Sequence, residues 1–527
     1  MQKLRRFPIW KEREGETEAA ALPAALAQKM EYLQPFIAQN DDLYAVDFRF
    51  ASAPDGLGER TGQGKIIYLD GVVDDTMLDE YVLKPLRSFL WKESPADMSG
   101  EEYMDMICSR CIHVAKYKVV QTEDELLHEI FDGMTVVLFE GVQAGLSLDI
   151  HGGMVRSIDE PPTEKAISGP REGFVENFDI NISLIRRRLR DPNLVVKKTR
   201  IGRRTHTGVA LLYLQDVADP DLVEKIQRRL DAIDIDGIVS TDYIAQLLES
   251  APWSFFPQYR MTERSDKAVA GLLEGRIALV IAGTPQVMFV PSLFLEFMQA
   301  PEDYYERSLV GSYVRLIRLA AFVIALSFPA LYVALSSFHP ELIPFRFLVP
   351  IAEARSQVPF PVLFEMLLQE FILQLVIEAG LRLPGSIGQT VGVVAGIVLG
   401  QAAISANIAS PVVIIVIAIT TISTFSLPSQ ALVQATRILR LPLLLFTGAF
   451  GLFGFSLGWL LILSHLTALQ NFGVPYLAPW VPGYWRDWKD EFIRAFLWKM
   501  NRRPESIPGQ QKWRQGRTRT EEEGGEE

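Results

Sequence analysis

The sequence predicts an α/β soluble region of two subdomains followed by an α-helical multi-span membrane domain. Charge is the first observation behind that division. Between Leu319 and Leu469 there are ten charged residues and no Lys or Asp, and Ile387–Thr436 carries no charge at all. Such a run far exceeds the roughly 20 apolar residues that one membrane-spanning helix needs. The second observation lies upstream, where residues 1–275 mix charge, Gly and short apolar runs, with strands alternating with helices. Cysteine is the third: Cys108 and Cys111 are the only two, so no disulfide framework holds this chain.

Residues 1–40 read as a flexible tail and a short helix. Residues 41–160 form the first expected subdomain, with "DLYAVDFRF", "KIIYLDG", "KYKVV" and "TVVLFEG" as strands of a mixed sheet and a helix from about Thr76 to Trp91. Pro161 and Pro162 mark the break to the second subdomain, residues 161–275, where "TGVALLYLQDV" is a strand and "DPDLVEKIQRRLDAI" a helix. Residues 276–315 are a hairpin and juxtamembrane connector. The "AGTP" turn splits two short β-branched runs there, which suits a hairpin better than a span.

The membrane domain, 316–482, divides at Pro, Gly and charge into Leu319–Phe338, Phe360–Gly380, Ile387–Ala409, Pro411–Leu427 and Leu441–Leu469. Residues 483–527 are a charged tail. The start, "MQKLRRFPIWKEREGETEAA", lacks an apolar core of signal-peptide length, so the soluble half is expected in the cytoplasm. Arg315 and Arg318 just before the first span agree with that side. Five crossings would leave the basic tail outside. A cytoplasmic tail therefore needs one re-entrant segment, either Phe360–Gly380 or "NFGVPYLAPW".

A basic helix stands out in "GPREGFVENFDINISLIRRRLRDPNL". Phe178, Ile182, Ile185 and Leu189 make one apolar stripe, Arg186, Arg187, Arg188 and Arg190 occupy the remaining circumference, and Asn177 or Asp179 can cap it. Its arginines are read as a solvated face paired with local acids, or as contacts to the inner leaflet or a neighbouring subunit. Nucleic acid fits poorly, because the net charge is −12 and no stacking or groove-reading motif is present.

"GERTGQGKI" has Glu59 and Ile66 where a phosphate-binding loop needs Gly and Ser or Thr. "CSRC" has no second Cys pair, so no metal is expected, and no cofactor motif is found. Without a recognisable nucleophile elbow, nothing reads as an enzyme.

The membrane half carries two patterns. Gly388, Gly392, Gly396 and Gly400 recur at four-residue spacing, a ladder that lets a neighbouring helix approach closely in lipid. "FPVLFEMLLQEFILQLVIEAGLRLP" holds Glu365, Glu370, Gln374 and Glu378, the last three within about 80° on a helical wheel. They suit an interfacial helix with a Glu378–Arg382 pair, or a ring of acids along a cation path when several copies assemble.

From about Asp41 to Trp480 the chain resembles the GerA family, the A subunits of spore germinant receptors. The resemblance rests on the arginine-helix segment above, "IGRRTHTGVALLYL", "IQRRLDAIDIDGI", "PWSFFPQYRMTERSDKAVAGLLEGRIAL", "PEDYYER", "EAGLRLPGSIGQTVG" and "NFGVPYLAP". It implies a non-enzymatic subunit in the inner membrane of the dormant spore, with a cytoplasmic amino-terminal region of two α/β subdomains. The implied partners are a transporter-like B subunit that holds the nutrient and a lipoprotein C subunit. The implied role is a homo-oligomeric conduit for monovalent cations, whose release precedes that of dipicolinic acid. The pattern departs at Ala282, where the family usually has an acid, and at Asn471, where Ser is commoner. The rival reading is a membrane scaffold that transmits the signal and conducts nothing. A secondary transporter is disfavoured, since the membrane half has no detectable internal repeat.

Overall fold

The computed structural model describes residues 20–51, 61–88, 99–152, 161, 163–164, 168–382, 396 and 398–515. The chain divides into two compact units. One comprises Met1–Leu248, Met261–Pro291 and Asn501–Glu527, the other Glu249–Arg260 and Ser292–Met500.

The first unit begins with helix α1 (Leu26–Gln39), strands β1 (Leu43–Ala51) and β2 (Thr61–Leu69), and a helix α2 that runs through Asp75–Met77, a π-helical stretch Leu78–Leu83, and Lys84–Ser88. Helix α3 (Gly100–Arg110), β3 (Tyr117–Val120), α4 (Glu123–Phe131), β4 (Thr135–Phe139) and β5 (Gly145–Leu148) complete a sheet of order β1-β2-β4-β5-β3. The same succession then repeats. Helix α5 (Phe178–Arg188), β6 (Leu194–Ile201), β7 (Thr207–Leu214), α6 (Pro220–Asp231), α7 (Thr241–Leu248), β8 (Arg260–Thr262), α8 (Ser265–Leu273), β9 (Ile277–Ile281) and β10 (Val287–Val290) give a sheet of order β6-β7-β9-β10-β8. The two halves of this unit share one element order and one strand order.

Once aligned, the repeat is visible in the residues. "YLDGVVDD" at the end of β2 matches "YLQDVADP" after β7, and Asp74 and Asp219 each cap the helix that follows by accepting backbone N–H groups. "DGMTVVLFEG" likewise matches "EGRIALVIAG", and Gly133 and Gly275 share a left-handed φ of 90° and 95°.

All four neighbouring pairs in the first sheet are antiparallel, which corrects the mixed sheet expected from alternation. A parallel pair needs a crossover that brings the next strand back beside the previous one. Here α2 and α3 lead instead to β3 at the far edge, beside β5. The apolar run "RIALVI…VMFV" is the β9–β10 hairpin, whose strands pair antiparallel with Val287 opposite Val280. After it, residues 501–515 fold back onto the second repeat. Gln510 donates its backbone N–H to Val217 O at 2.8 Å and its amide to Ala218 O at 2.9 Å, while Arg503 Nε donates to Leu273 O at 2.7 Å.

The second unit is built on helices α9 (Ser308–Ser337), α10 (Phe345–Arg355), α11 (Val362–Arg382), α12 (Pro411–Phe425) and α13 (Gln430–Ala468). Two of them, α9 and α13, are long and apolar enough to cross a membrane. Helix α13 is not one rod. Gly451 takes φ 61° and ψ −140°, a backbone that side-chain-bearing residues rarely adopt, and the chain reverses there. The limbs 430–450 and 452–468 then lie against each other, so a Cβ at Gly454 would sit 2.0 Å from Phe446 O and one at Gly458 would sit 2.5 Å from Leu443 Cδ1. This corrects the single span Leu441–Leu469, because hydropathy does not register a change of φ. Small residues in "TGAFGLFGFSLG" let the two limbs approach this closely.

Gly454→Ala should cost about 1–3 kcal/mol through overpacking, since the obstacle is a backbone oxygen that cannot swing aside. Gly458→Ala should cost less, because the Leu443 side chain can rotate away. Thermal unfolding of the detergent-solubilised chain ranks the two.

Candidate functional site

Helix α11 carries the four polar residues singled out in the sequence, and the structure separates them. Glu365 is fully buried. One of its carboxylate oxygens accepts the backbone N–H of Ser410, the residue that caps α12, and the other, Oε2, has no hydrogen-bond partner. One turn on, Gln369 is also buried and its Nε2 is equally unmatched. Tyr332 of α9 and Arg355 of α10 interact electrostatically at the same place. A half-satisfied buried carboxylate is costly, and native structures keep such groups mainly where something else completes them.

Glu370 faces a different partner. Arg440, on the first limb of α13, donates from Nη1 to both Glu370 oxygens at 2.8 and 2.9 Å. Its Nε donates to Ala325 O of α9 at 2.7 Å and its Nη2 to Thr424 Oγ1 of α12 at 2.9 Å. Gln374 and Glu378 lie farther along α11 and are exposed. Glu378 accepts from Arg382 Nη2 at 2.7 Å, the pair expected at that spacing. The structure therefore brings Glu365 and Glu370 into the bundle and leaves Gln374 and Glu378 outside it.

Of the glycine ladder, Gly388 and Gly392 lie outside the described residues. Among the described residues, a Cβ at Gly396 would meet nothing within 4 Å and one at Gly400 only Ile414 at 3.8 Å.

On α5, Asn177 is the cap, accepting from the N–H of Asp179 and Ile180, and Ile182, Ile185 and Leu189 are buried as the stripe requires. Arg186 departs from the expected solvated face. It is 2% exposed and grips Asp42 with two bonds of 2.9 Å, while its Nη2 reaches Asn40 Oδ1 and its Nη1 reaches Leu194 O, both at 2.8 Å. That fork locks the second repeat to the first. Arg188 pairs with Glu172 and Arg190 approaches Asp132, both at the surface, and Arg187 is half-buried. Periodicity could not find the Arg186 partner, which lies 144 residues upstream in "NDD". Burial pushes the Cys108 thiol up to about 12 and that of Cys111 up to about 11, so neither offers a thiolate at neutral pH.

One charged network went unread. Asp303 of "PEDYYER" accepts from Arg318 Nη1 at 2.7 and 2.8 Å and from Arg315 Nε at 3.2 Å. Arg315 also reaches Asp490, whose other oxygen accepts from the Tyr304 hydroxyl at 2.8 Å. Both arginines are buried, and Arg315 holds segment 484–500 to the start of α9 through Asp490.

Two measurements probe these networks. Arg440→Leu alone should destabilise the helical unit by about 3–5 kcal/mol by stranding Glu370, and Arg440→Leu/Glu370→Leu should recover most of the loss, as thermal unfolding would record. The second concerns Glu491, whose carboxyl is pushed up to about 8 by burial first, then by Glu296 and Asp490, against the pull of Arg315. The folded protein then holds a proton that the unfolded chain, at the ordinary 4.5, releases. Stability from this docking is therefore full at low pH and lost as pH rises from about 4.5 to about 8. Amide exchange in 484–500, corrected for intrinsic rate, should be faster at pH 8.5 than at pH 6, and Glu491→Gln should flatten that difference.

The family described as the Bacillus/Clostridium GerA spore germination protein matches residues 31–506. Spore germination protein KA of Bacillus subtilis (strain 168) is 37% identical over 452 residues, 86% of this chain and 82% of that protein. Spore germination protein B1 of the same organism is 35% identical over 479 residues, 91% and 96% of the two chains. Among solved structures, the N-terminal domain of the A subunit of the Bacillus megaterium spore germinant receptor GerK3 aligns with a TM-score of 0.39 at 25% identity, covering 52% of this chain and 98% of that one. A match spanning both units, with relatives aligned over most of their length, identifies the chain: it belongs to the GerA family of spore germination proteins.

Proposed function

We propose that this chain is the A subunit of a nutrient germinant receptor, and that several copies of its helical unit form a conduit through which monovalent cations leave when nutrient binds the complex. Glu365 is the observation that carries the conduit reading. It is a fully buried carboxylate beside the amino end of α12 with one oxygen unmatched, and Gln369 is unmatched beside it. Buried acids among membrane helices are expensive and mark ion or proton pathways by default. The room around Gly396 and Gly400 among the described residues supports close packing between copies. The partners are a transporter-like B subunit that holds the nutrient and a lipoprotein C subunit, in the inner membrane of the spore with the amino-terminal region in the cytoplasm.

The topology now balances without a re-entrant segment. Leu319–Phe338, Phe360–Gly380, Pro411–Leu427 and the span Ile387–Ala409 expected from sequence, of which 387–395 and 397 lie outside the described residues, supply four crossings, and the two limbs of α13 supply two more. An even number returns the tail to the side it started from. Residues 501–515, bonded to the second repeat, support that side.

A scaffold that conducts nothing is the second reading, favoured by the pairing of Glu370 and Glu378 with arginines. The two separate on Glu365→Gln in spores, with potassium efflux followed after a nutrient mixture is added. The conduit expects efflux slowed several-fold at normal receptor levels, with Glu378→Gln unchanged. Normal efflux from Glu365→Gln would leave the scaffold.

A further inference from the structure

Residues Glu249–Arg260 lie in sequence between α7 and α8 of the second soluble repeat, yet they belong to the helical unit. The segment is held firmly. Gln258 is buried, and its amide ties the ends of the loop by accepting from the N–H of Ser250 and Ala251 at 3.1 Å and donating to Ala251 O at 2.7 Å. Asn471 donates to Gln258 O, and the Tyr476 hydroxyl donates to Pro257 O at 2.5 Å. Ser254 bonds His465 at 2.9 Å in the last turn of α13, and the Phe256 ring stacks on the same imidazole.

Against that rigid frame two side chains point away from protein. Trp253 is 95% exposed and Phe255 is more than half exposed, while Phe256 between them and the frame is core. A large aromatic displayed so openly on an ordered loop is there to meet something.

The setting says what. The loop sits at the end of α13, where Phe294 stacks edge-on against Phe256 and against Phe322, midway along α9. Segment 484–500 is bound at the same end through Arg315 and Ser312, and it exposes Trp485 and Leu497. The outer face of α9 continues the apolar surface through Tyr313. Within 484–500, Arg486, Lys489 and Lys499 are exposed while Asp487, Asp490 and Glu491 are half-buried and Asp490 is paired with Arg315, so the surface is cationic as well as aromatic. Amphipathic rings and cations at the end of apolar helices are what an anionic headgroup layer takes.

We propose that Trp253 and Phe255, with Trp485 and Leu497, seat in the anionic headgroup layer of the bilayer, making the loop Glu249–Arg260 a membrane anchor inserted in the soluble sequence. The proposal rests on the reading of the helical unit as membrane-embedded. Its rigidity matters: an anchor bonded to His465 and Asn471 fixes the depth of α13 rather than following it.

The test uses the full chain in vesicles of phosphatidylcholine and phosphatidylglycerol, spin-labelled at Trp253→Cys or Phe255→Cys, with wild-type labelling subtracted. Collision with oxygen is compared with collision with a water-soluble nickel chelate. Val323→Cys, on the exposed face of α9, and Arg204→Cys, in a soluble loop, are the lipid and water references. The expected result is oxygen contact exceeding nickel contact at both loop positions, more strongly as phosphatidylglycerol increases. Nickel contact at 253 and 255 equal to that at 204, with Val323→Cys still oxygen-rich, overturns the anchor alone. Nickel contact at Val323→Cys as well overturns the membrane reading beneath it. Spin–spin broadening at 253 assigns the face to a second copy and also overturns the proposal.

Discussion

One guanidinium holds the helical unit in register. Arg440 bonds Ala325 of α9, Glu370 of α11 and Thr424 of α12 from its own place on α13, so four helices meet at a single side chain. In lipid, apolar helices gain little from touching each other, since the tails are as apolar as the side chains. A buried charge changes that balance. It must be satisfied on every donor, and only one relative position of the four helices does so. The Leu432, Leu443 and Leu444 side chains around it are buried but could slide by a turn with little loss; Arg440 could not. Nearer the end of α13, Trp459 repeats the device with one bond of 3.0 Å to Ser327.

The soluble unit uses the same solution at the seam of its two repeats. Each repeat has its own apolar core, around Ile66 and Phe139 in the first and around Leu212 and Val280 in the second. Burial within each core is indifferent to how the repeats meet. Arg186 is not, because its fork fits only the Asn40–Asp42 corner. The backbone bond from Asp41 N to Val196 O and the Lys198 contacts to Asp70 and Asp179 accompany that fit. The two halves are similar bodies, and one buried ion pair fixes how they meet.

The sequence made the division into soluble and helical halves legible, because charge density and hydropathy are local quantities. The caps and stripe of α5 were legible for the same reason. What stayed hidden was non-local. Arg186 reads as surface charge until Asp42, far upstream, is brought beside it, and the Arg440 partner of Glu370 lies 70 residues away. The repeat was present in "DGMTVVLFEG" and "EGRIALVIAG", but an offset comparison was needed to see it, and most core positions differ among apolar types that pack equally well. The reversal at Gly451 was the least legible feature. A run of apolar residues with several glycines suits one long span as well as two limbs, and the choice lies in a φ that composition does not encode.

Glu365 and Glu370 differ by five residues on one helix, and their bonding differs sharply. Glu370 has a full bidentate partner and contributes to the bundle's geometry. A neutral side chain in both places of that pair would preserve the packing at little cost, as is common for buried ion pairs. Glu365 has only a backbone N–H on one oxygen. An apolar residue there would remove an unmet bonding demand, so stability alone argues against a carboxylate at that position. Glu365 sits buried at the amino end of α12, and the single chain leaves one of its oxygens unmet. Water, a passing cation or a neighbouring copy could each meet it. This is why the conduit reading rests on Glu365 rather than on the more conspicuous row of acids further along α11.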